Sequence, residues 1–181
     1  MSQSQSVPSS SYPATPREAT PAQRPATPLA RFAFIQSSWH EDIVSQGRIA
    51  FLAEMARQGV APEAVDLFEV PGAFEIPLHA KKLAQSGRYT AIVTCGLVVD
   101  GGIYRHDFVA GAVIDALMAI QLDTGVPVFS AVLTPQHFHE HEEHRRFFTE
   151  HFLTKGKEVA QACLQTIASL AKVEALLLSN K

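Results

Sequence analysis

Few cysteines, no long apolar run and no excess of positive charge are the first features of this 181-residue chain. The two cysteines, Cys95 and Cys163, lie inside apolar stretches at unrelated spacing. That excludes a disulfide framework or a zinc knuckle and fits a reducing, cytoplasmic setting. Fifteen Lys and Arg against 18 Asp and Glu leave a net charge of −3 with the signs scattered. Without a basic stripe, nucleic acid is excluded as the expected partner. No apolar stretch approaches the ~18–20 residues that span a bilayer, and the N-terminus lacks the charged start and apolar run of a signal peptide. Neither membrane insertion nor secretion is expected.

What is present is a hydrophobic fraction of 46 %, ample for one sizeable core but spread over too few residues for two full domains. Proline is unevenly placed. Pro8, Pro13, Pro16, Pro21, Pro25 and Pro28 are more than half of the 11 prolines, set among Ser, Thr, Gln and Ala. Such a segment buries too little apolar area to offset its ordering entropy, so residues 1–30 read as a disordered tail and 31–178 as the folded domain. The tail is either a docking or targeting arm or a plain solvated extension. No internal repeat is present.

Strand and helix patterns alternate through the domain. Arg31–Ile35 reads as a strand, and Gln36-Ser37-Ser38 as a cluster that caps the next helix. Val44, Gly47, Phe51 and Met55 mark that helix, which Gly59 and Pro62 end. Val65–Val70 is a second strand, and a helix over about Phe74–Ser86 follows, with Pro77 in its first turn. Ala91–Cys95 is a buried-type third strand. Val109, Val113, Leu117 and Ile120 mark a third helix, and Pro127–Leu133 is a fourth strand. Beyond a His/Glu-rich segment, Val159, Cys163, Ile167 and Leu170 share one face of a long last helix. Alternation of this kind implies right-handed crossovers and a parallel sheet covered on both faces. Ligands of such sheets bind beyond the carboxyl ends of the strands. Four loops qualify: 37–40, 71–75, 97–107 and 134–139.

Each loop offers some chemistry. Trp39, flanked by Ser38 and His40, suits a stacking platform for a flat heterocycle, or else covers a hydrophobic floor. Pro71-Gly72-Ala73-Phe74-Glu75 makes a tight turn ahead of a helix, where Glu75 holds hydroxyls or simply faces the helix dipole. Gly101-Gly102 before a helix forms an anion cradle of backbone N–H groups, with Arg105 as a fork-shaped phosphate donor and His106 as an imidazole that moves protons near neutral pH. It is neither a Walker loop nor GxGxxG. In His137–His144, the pairs His137/His141 and Glu140/His144 stand one helical turn apart, as zinc ligands would. The HExxH spacing is absent and no third ligand is indicated, so a solvated face or histidines meeting a phosphate fit better.

Taken together, these loops resemble lumazine synthase. Val70-Pro71-Gly72-Ala73-Phe74-Glu75-Ile76-Pro77 with Ala80-Lys81-Lys82-Leu83-Ala84 is similar to that family's signature segment. Gly96–Gly102, Thr124-Gly125-Val126-Pro127-Val128 and Lys155-Gly156, taken as the opening of the last helix, extend the likeness over residues 31–172. Ser38-Trp39-His40, Gly102–Phe108 and Pro135–His139 resemble the type II branch.

The resemblance implies a flavodoxin-like three-layer α/β/α sandwich on a four-stranded parallel sheet. It implies a transferase of riboflavin biosynthesis that joins 5-amino-6-(D-ribitylamino)uracil to 3,4-dihydroxy-2-butanone 4-phosphate. The products are 6,7-dimethyl-8-ribityllumazine, phosphate and water, formed without cofactor or metal. Sites lie between subunits of a homo-oligomer built from pentamers, as a pentamer, a decamer or a 60-subunit shell. By the same resemblance Trp39 stacks on the pyrimidine, Ala73, Phe74 and Glu75 hold the ribityl chain and ring, and Leu97, Val98 and Val99 line the uracil side. Gly102 and Ile103 form the phosphate loop and Ser130 is a further ring contact. The family's proton-donor histidine aligns with Arg105, beside His106, and its phosphate-binding arginine from the neighbouring subunit aligns with His144, beside Arg145. The catalytic pair is therefore His106 and Arg105. Two other functions compete: an archaeal-type riboflavin synthase, which needs no Gly101-Gly102 loop, and a catalytically weak flavin- or lumazine-binding or shell-forming homologue.

Overall fold

Phe32 and Phe34 face one side of the first strand and Ala33 and Ile35 the other, and this period-two alternation splits the core in half. The computed structural model describes residues 30–100, 105–135 and 142–179. Its strands are β1 (Phe32–Ser37), β2 (Val65–Val70), β3 (Ala91–Leu97) and β4 (Val128–Leu133). All pair in parallel, in the order β2-β1-β3-β4. The helices are α1 (Glu41–Arg57), α2 (Ile76–Gln85), α3 (His106–Thr124) and α4 (Glu142–Ser179). Helices α2 and α3 cover one face of the sheet, burying Ile76, Ala80, Val113 and Leu117 against Ala33, Ile35 and Ile92. Helices α1 and α4 cover the other, where Phe51 and Phe152 meet Phe34 and Val93. This is the α/β, flavodoxin-like three-layer sandwich expected from the sequence.

The layer of α1 and α4 owes its closeness to two glycines. A β-carbon on Gly156 would overlap the carbonyl oxygen of Gly47 and come within 2.9 Å of the Ala50 β-carbon. A β-carbon on Gly47 would meet Cys95 Sγ at 2.9 Å and the Phe152 ring at 3.1 Å. Beside this contact the buried Glu54 carboxylate accepts from Arg57 (2.6 and 2.8 Å) and Gln58 (3.1 Å) of its own helix and its C-cap, and from Gln161 of α4 (3.0 Å). At the other end of the pair, Arg145 of α4 is salt-bridged to Asp42 of α1.

The structure departs from the sequence reading in several places. No serine caps α1: Ser37 ends β1, and His40 enters the helix in a left-handed conformation (φ 55°) without a side-chain cap. The second helix is preceded by a 3-10 turn over Ala73–Glu75, which leaves Pro77 in the first turn of α2. Lys155-Gly156 does not open the last helix; α4 runs continuously for 38 residues from Glu142. Tight packing on Gly47 tolerates a mid-helix glycine, whose intrinsic cost is about 1 kcal/mol. Val159 and Cys163 are buried as expected, but Leu170 is exposed, because the helix has run past α1 and β4 by that point. From Ala168 to Ser179 every residue is exposed. No membrane-length stretch stands out in the sequence, yet α4 over Arg145–Ser179 is long and apolar enough, by length and composition, to cross one. Lys172 and Glu174 interrupt its apolar C-terminal turns.

Candidate functional site

The carboxyl ends of β1 and β3 and the start of the 3-10 turn open onto a cavity of about 470 Å³, within the range of small-molecule sites. Trp39, His40, Ala73, Phe74, Leu97, Val98, Val99 and Val109 line it. Six of these, Trp39, Ala73, Phe74, Leu97, Val98 and Val99, are residues that the sequence reading assigned to substrate. His40 lies in the first candidate loop but carries no assigned role, and Val109 is read only as part of the third helix. The signal for Val109 was available, since it starts the helical repeat of α3 at the strand-end side.

Trp39 owes its position to local backbone bonds. Ser38 N–H donates to Val70 O at 2.8 Å and Trp39 N–H to Pro71 O at 3.2 Å, zipping the loop after β1 to the loop after β2. His40 then turns the chain in the left-handed region, the single non-glycine with positive φ among the described residues. Histidine is one of the residue types enriched there. Its carbonyl accepts from Ile43 and Val44, starting α1. The indole is 59 % exposed and lies against Gly72: a β-carbon there would stand 2.8 and 2.9 Å from two of its ring carbons. With Gly72 at φ −131°, the glycine is needed for this close approach and not for its backbone angle. Glu75 Oε2 accepts the Gly72 N–H at 3.0 Å. One carboxylate oxygen thus fixes the platform's support instead of lining the cavity.

Arg105 and His106 stand at the N-terminus of α3, one turn before Val109. Arg105 donates to both oxygens of Asp107 (2.7 and 3.2 Å), and its guanidinium carbon lies 4.4 Å from the centre of the Phe108 ring. The Asp107 carboxylate raises the Arg105 pKa, and the guanidinium holds Asp107 below the usual carboxylate range. Gly102 and Ile103 lie outside the described residues, as does the side chain of His144. Ser130 is not brought to this cavity. It pairs in register with Thr94, three residues below Leu97, and faces a shallow depression with Lys155 and Glu158 at the outer edge of β4. Much of His137–His144 also lies outside the described residues, and no three metal-ligating side chains converge among the described ones.

A platform indole, an apolar wall and a cationic helix start at adjacent strand ends match the loops that carry the VPGAFEIP segment. The model of the 6,7-dimethyl-8-ribityllumazine synthase family matches residues 29–171. The chain belongs to the 6,7-dimethyl-8-ribityllumazine synthase family. A protein of Rhodococcus erythropolis bearing that name is 62 % identical over 140 residues, covering 77 % of this chain and 90 % of the relative. Proteins named 6,7-dimethyl-8-ribityllumazine synthase 2 are 59 % identical in Pseudomonas syringae pv. tomato (82 % and 88 % covered) and 60 % identical in Bradyrhizobium diazoefficiens (79 % and 86 %). The lumazine synthase family acts in riboflavin biosynthesis as transferases, so the enzyme reading from the sequence holds, and the alternative of a catalytically weak flavin- or lumazine-binding or shell-forming homologue is not favoured.

Proposed function

We propose that the cavity beneath Trp39 binds 5-amino-6-(D-ribitylamino)uracil and that the start of α3 receives 3,4-dihydroxy-2-butanone 4-phosphate for condensation to 6,7-dimethyl-8-ribityllumazine. The observation that carries this reading is Trp39, an exposed indole packed against Gly72 at the mouth of a mainly apolar cavity. The ring stacks on the indole, and Ala73, Phe74, Leu97, Val98 and Val99 enclose it. Glu75 holds the turn that carries Ala73 and Phe74 toward the ribityl chain.

The reaction joins an amine to a ketone, expels phosphate and closes a ring. Each step asks for alignment and modest proton transfer. Holding both reactants in place supplies about 7–11 kcal/mol, and one positioned acid–base group a further 10²–10⁴-fold. His106 moves the proton. Arg105, with Gly102 and Ile103, stabilises the departing phosphate, for a guanidinium stays protonated above pH ~12 and shuttles no proton. The residues need neither cofactor nor metal for these roles.

The site is completed by a second copy. His144, with Arg145 beside it, is contributed by one copy to a neighbour's cavity in a homo-oligomer built from pentamers. The exposed apolar stripe of Ile114, Met118 and Leu122 on α3 supports this reading, because such a row favours contact with protein over water. We place the assembly in the cytoplasm, with no nucleic-acid or membrane partner, and take residues 1–30 as a tail outside the lumazine synthase domain. Mixing the purified protein with both substrates while following lumazine absorbance and phosphate release tests the activity. Absence of both signals at assembled concentration overturns it.

A further inference from the structure

Ser37 ends β1 two residues before the indole platform, fully buried, and its hydroxyl has no hydrogen-bond partner. Leaving a buried hydroxyl unpaired costs about as much as a net hydrogen bond contributes, or more, so such a group two residues before the cavity-lining Trp39 calls for a reason. Gln36 next to it is buried with both amide atoms unpartnered. Strand alternation puts Gln36 on the face of Phe32 and Phe34, toward α1 and α4, and Ser37 on the face of Ala33 and Ile35.

The surroundings of Ser37 Oγ are defined by Gly96. A β-carbon built at Gly96 would lie 3.0 Å from Ser37 Oγ, 3.5 Å from the Ala73 β-carbon and 3.5 Å from Ile76 Cδ1. The hydroxyl therefore occupies room that only glycine at 96 leaves open, behind Ala73, which itself lines the cavity. His40 and the Trp39 indole aside, the cavity's walls, Phe74, Leu97, Val98, Val99 and Val109, carry apolar side chains. A uracil ring entering it brings two carbonyls and an imide N–H, all of which lose water on entry. Serine turns between three staggered positions about one bond, and a hydroxyl both donates and accepts.

We propose that Ser37 is a binding residue for the pyrimidine substrate: its hydroxyl, unpaired in the free protein, turns past Ala73 and Gly96 to hydrogen-bond the polar edge of the bound uracil ring. This rests on the reading of the cavity given under the proposed function. The buried, unpaired state of Oγ in the free protein makes the bond an exchange of no bond for one. The usual loss of a bond to water is absent, and affinity gains accordingly.

The test is calorimetric titration of the assembled protein with 5-amino-6-(D-ribitylamino)uracil, together with urea unfolding of the ligand-free protein, for the parent chain, Ser37→Ala and Gly96→Ala. For Ser37→Ala the expected result is a Kd about fivefold to tenfold higher with stability equal to or above the parent's. In turnover, KM for the pyrimidine rises while kcat at saturation stays within about twofold, the pattern of lost uniform binding. Gly96→Ala, whose methyl group crowds Oγ, is expected to weaken binding in the same direction, and it carries the test if Ser37→Ala does not fold. An unchanged Kd in Ser37→Ala, with greater stability, overturns the proposal and leaves the cavity reading standing. Failure of the parent chain to bind the pyrimidine overturns both.

Discussion

Gly47 and Gly156 touch backbone to backbone, and the crossing of α1 and α4 is built around that contact. Neither glycine is there for a turn. Any side chain at 156 meets the Gly47 carbonyl and Ala50, and both partners are main chain or short side chain in helices that cannot bend aside. Gly156→Ala is therefore expected to destabilise the protein by about 1–3 kcal/mol or more, the range of core overpacking, despite alanine's better helix propensity. Urea unfolding checks this. A stability equal to or above the parent's contradicts the close crossing.

Trp39→Ala is expected to leave stability within about 1 kcal/mol, since the indole is mostly exposed. Ring stacking is worth about 1–3 kcal/mol per base, so pyrimidine affinity should fall by roughly tenfold or more. Titration with the pyrimidine and urea unfolding separate the two effects. Loss of the folded state without a selective loss of binding makes Trp39 a core residue.

On the role proposed for Arg105, Asp107 competes with the phosphate substrate for it. Both Arg105–Asp107 bonds occupy guanidinium donors that the proposed phosphate contact would use. Asp107→Asn is expected to lower KM for the phosphate substrate, and Arg105→Ala to raise it, each with a smaller effect on kcat. His106→Ala is expected to reduce turnover by about 10²-fold or less and to alter the pH–rate profile. Steady-state kinetics against pH tests all three; an untouched profile in His106→Ala removes His106 from proton transfer.

Met118→Glu, with or without Leu122→Lys, puts charge into the exposed apolar stripe of α3. The expected result is a smaller particle by light scattering and parallel loss of turnover, since on the proposed assembly His144 and Arg145 of one copy no longer reach the next. An active monomer rules out a shared site.

Glu54 links acidity to the α1–α4 layer. Hydrogen bonds from Arg57, then Gln58 and Gln161, hold its carboxyl well below the usual carboxylate range. Its contribution is fully present above the unfolded value of about 4.3 and is lost as pH falls below that toward the depressed folded value. Glu54→Gln is expected to be less stable at pH 7 and to lose less further stability between pH ~5 and ~3 than the parent. Urea midpoints across that interval check the sign.

Much of this architecture was legible from period and punctuation. Val65–Val70 was read with its observed ends, and Gly125 closes α3 in the left-handed conformation that a terminal glycine predicts. Trp39, Ala73, Phe74 and Leu97–Val99 came together because a parallel sheet gathers its strand ends at one edge, whatever the intervening sequence. What escaped were long-range facts. The continuity of α4 through Gly156 depends on Gly47, more than a hundred positions away. Ser130 stands off the cavity because β4 pairs with β3 in a register that no local pattern reveals. Ser37 reads as a helix cap by type, but the strand runs two residues further than its apolar pattern and buries it.

The division of the core into two halves also distributes the chain's natural reporters. Both thiols, Cys95 and Cys163, sit in the half between the sheet and α1 and α4, where burial pushes each pKa up to about 12. They are silent toward alkylating reagents until that half opens. Trp39, the single indole, stands at the cavity mouth, and Tyr89 lies in the half covered by α2 and α3. Thiol labelling rates, indole emission and the residue-resolved exposure of Tyr89, one of three tyrosines, therefore time three separate events: release of one helical layer, occupancy of the cavity and release of the other layer.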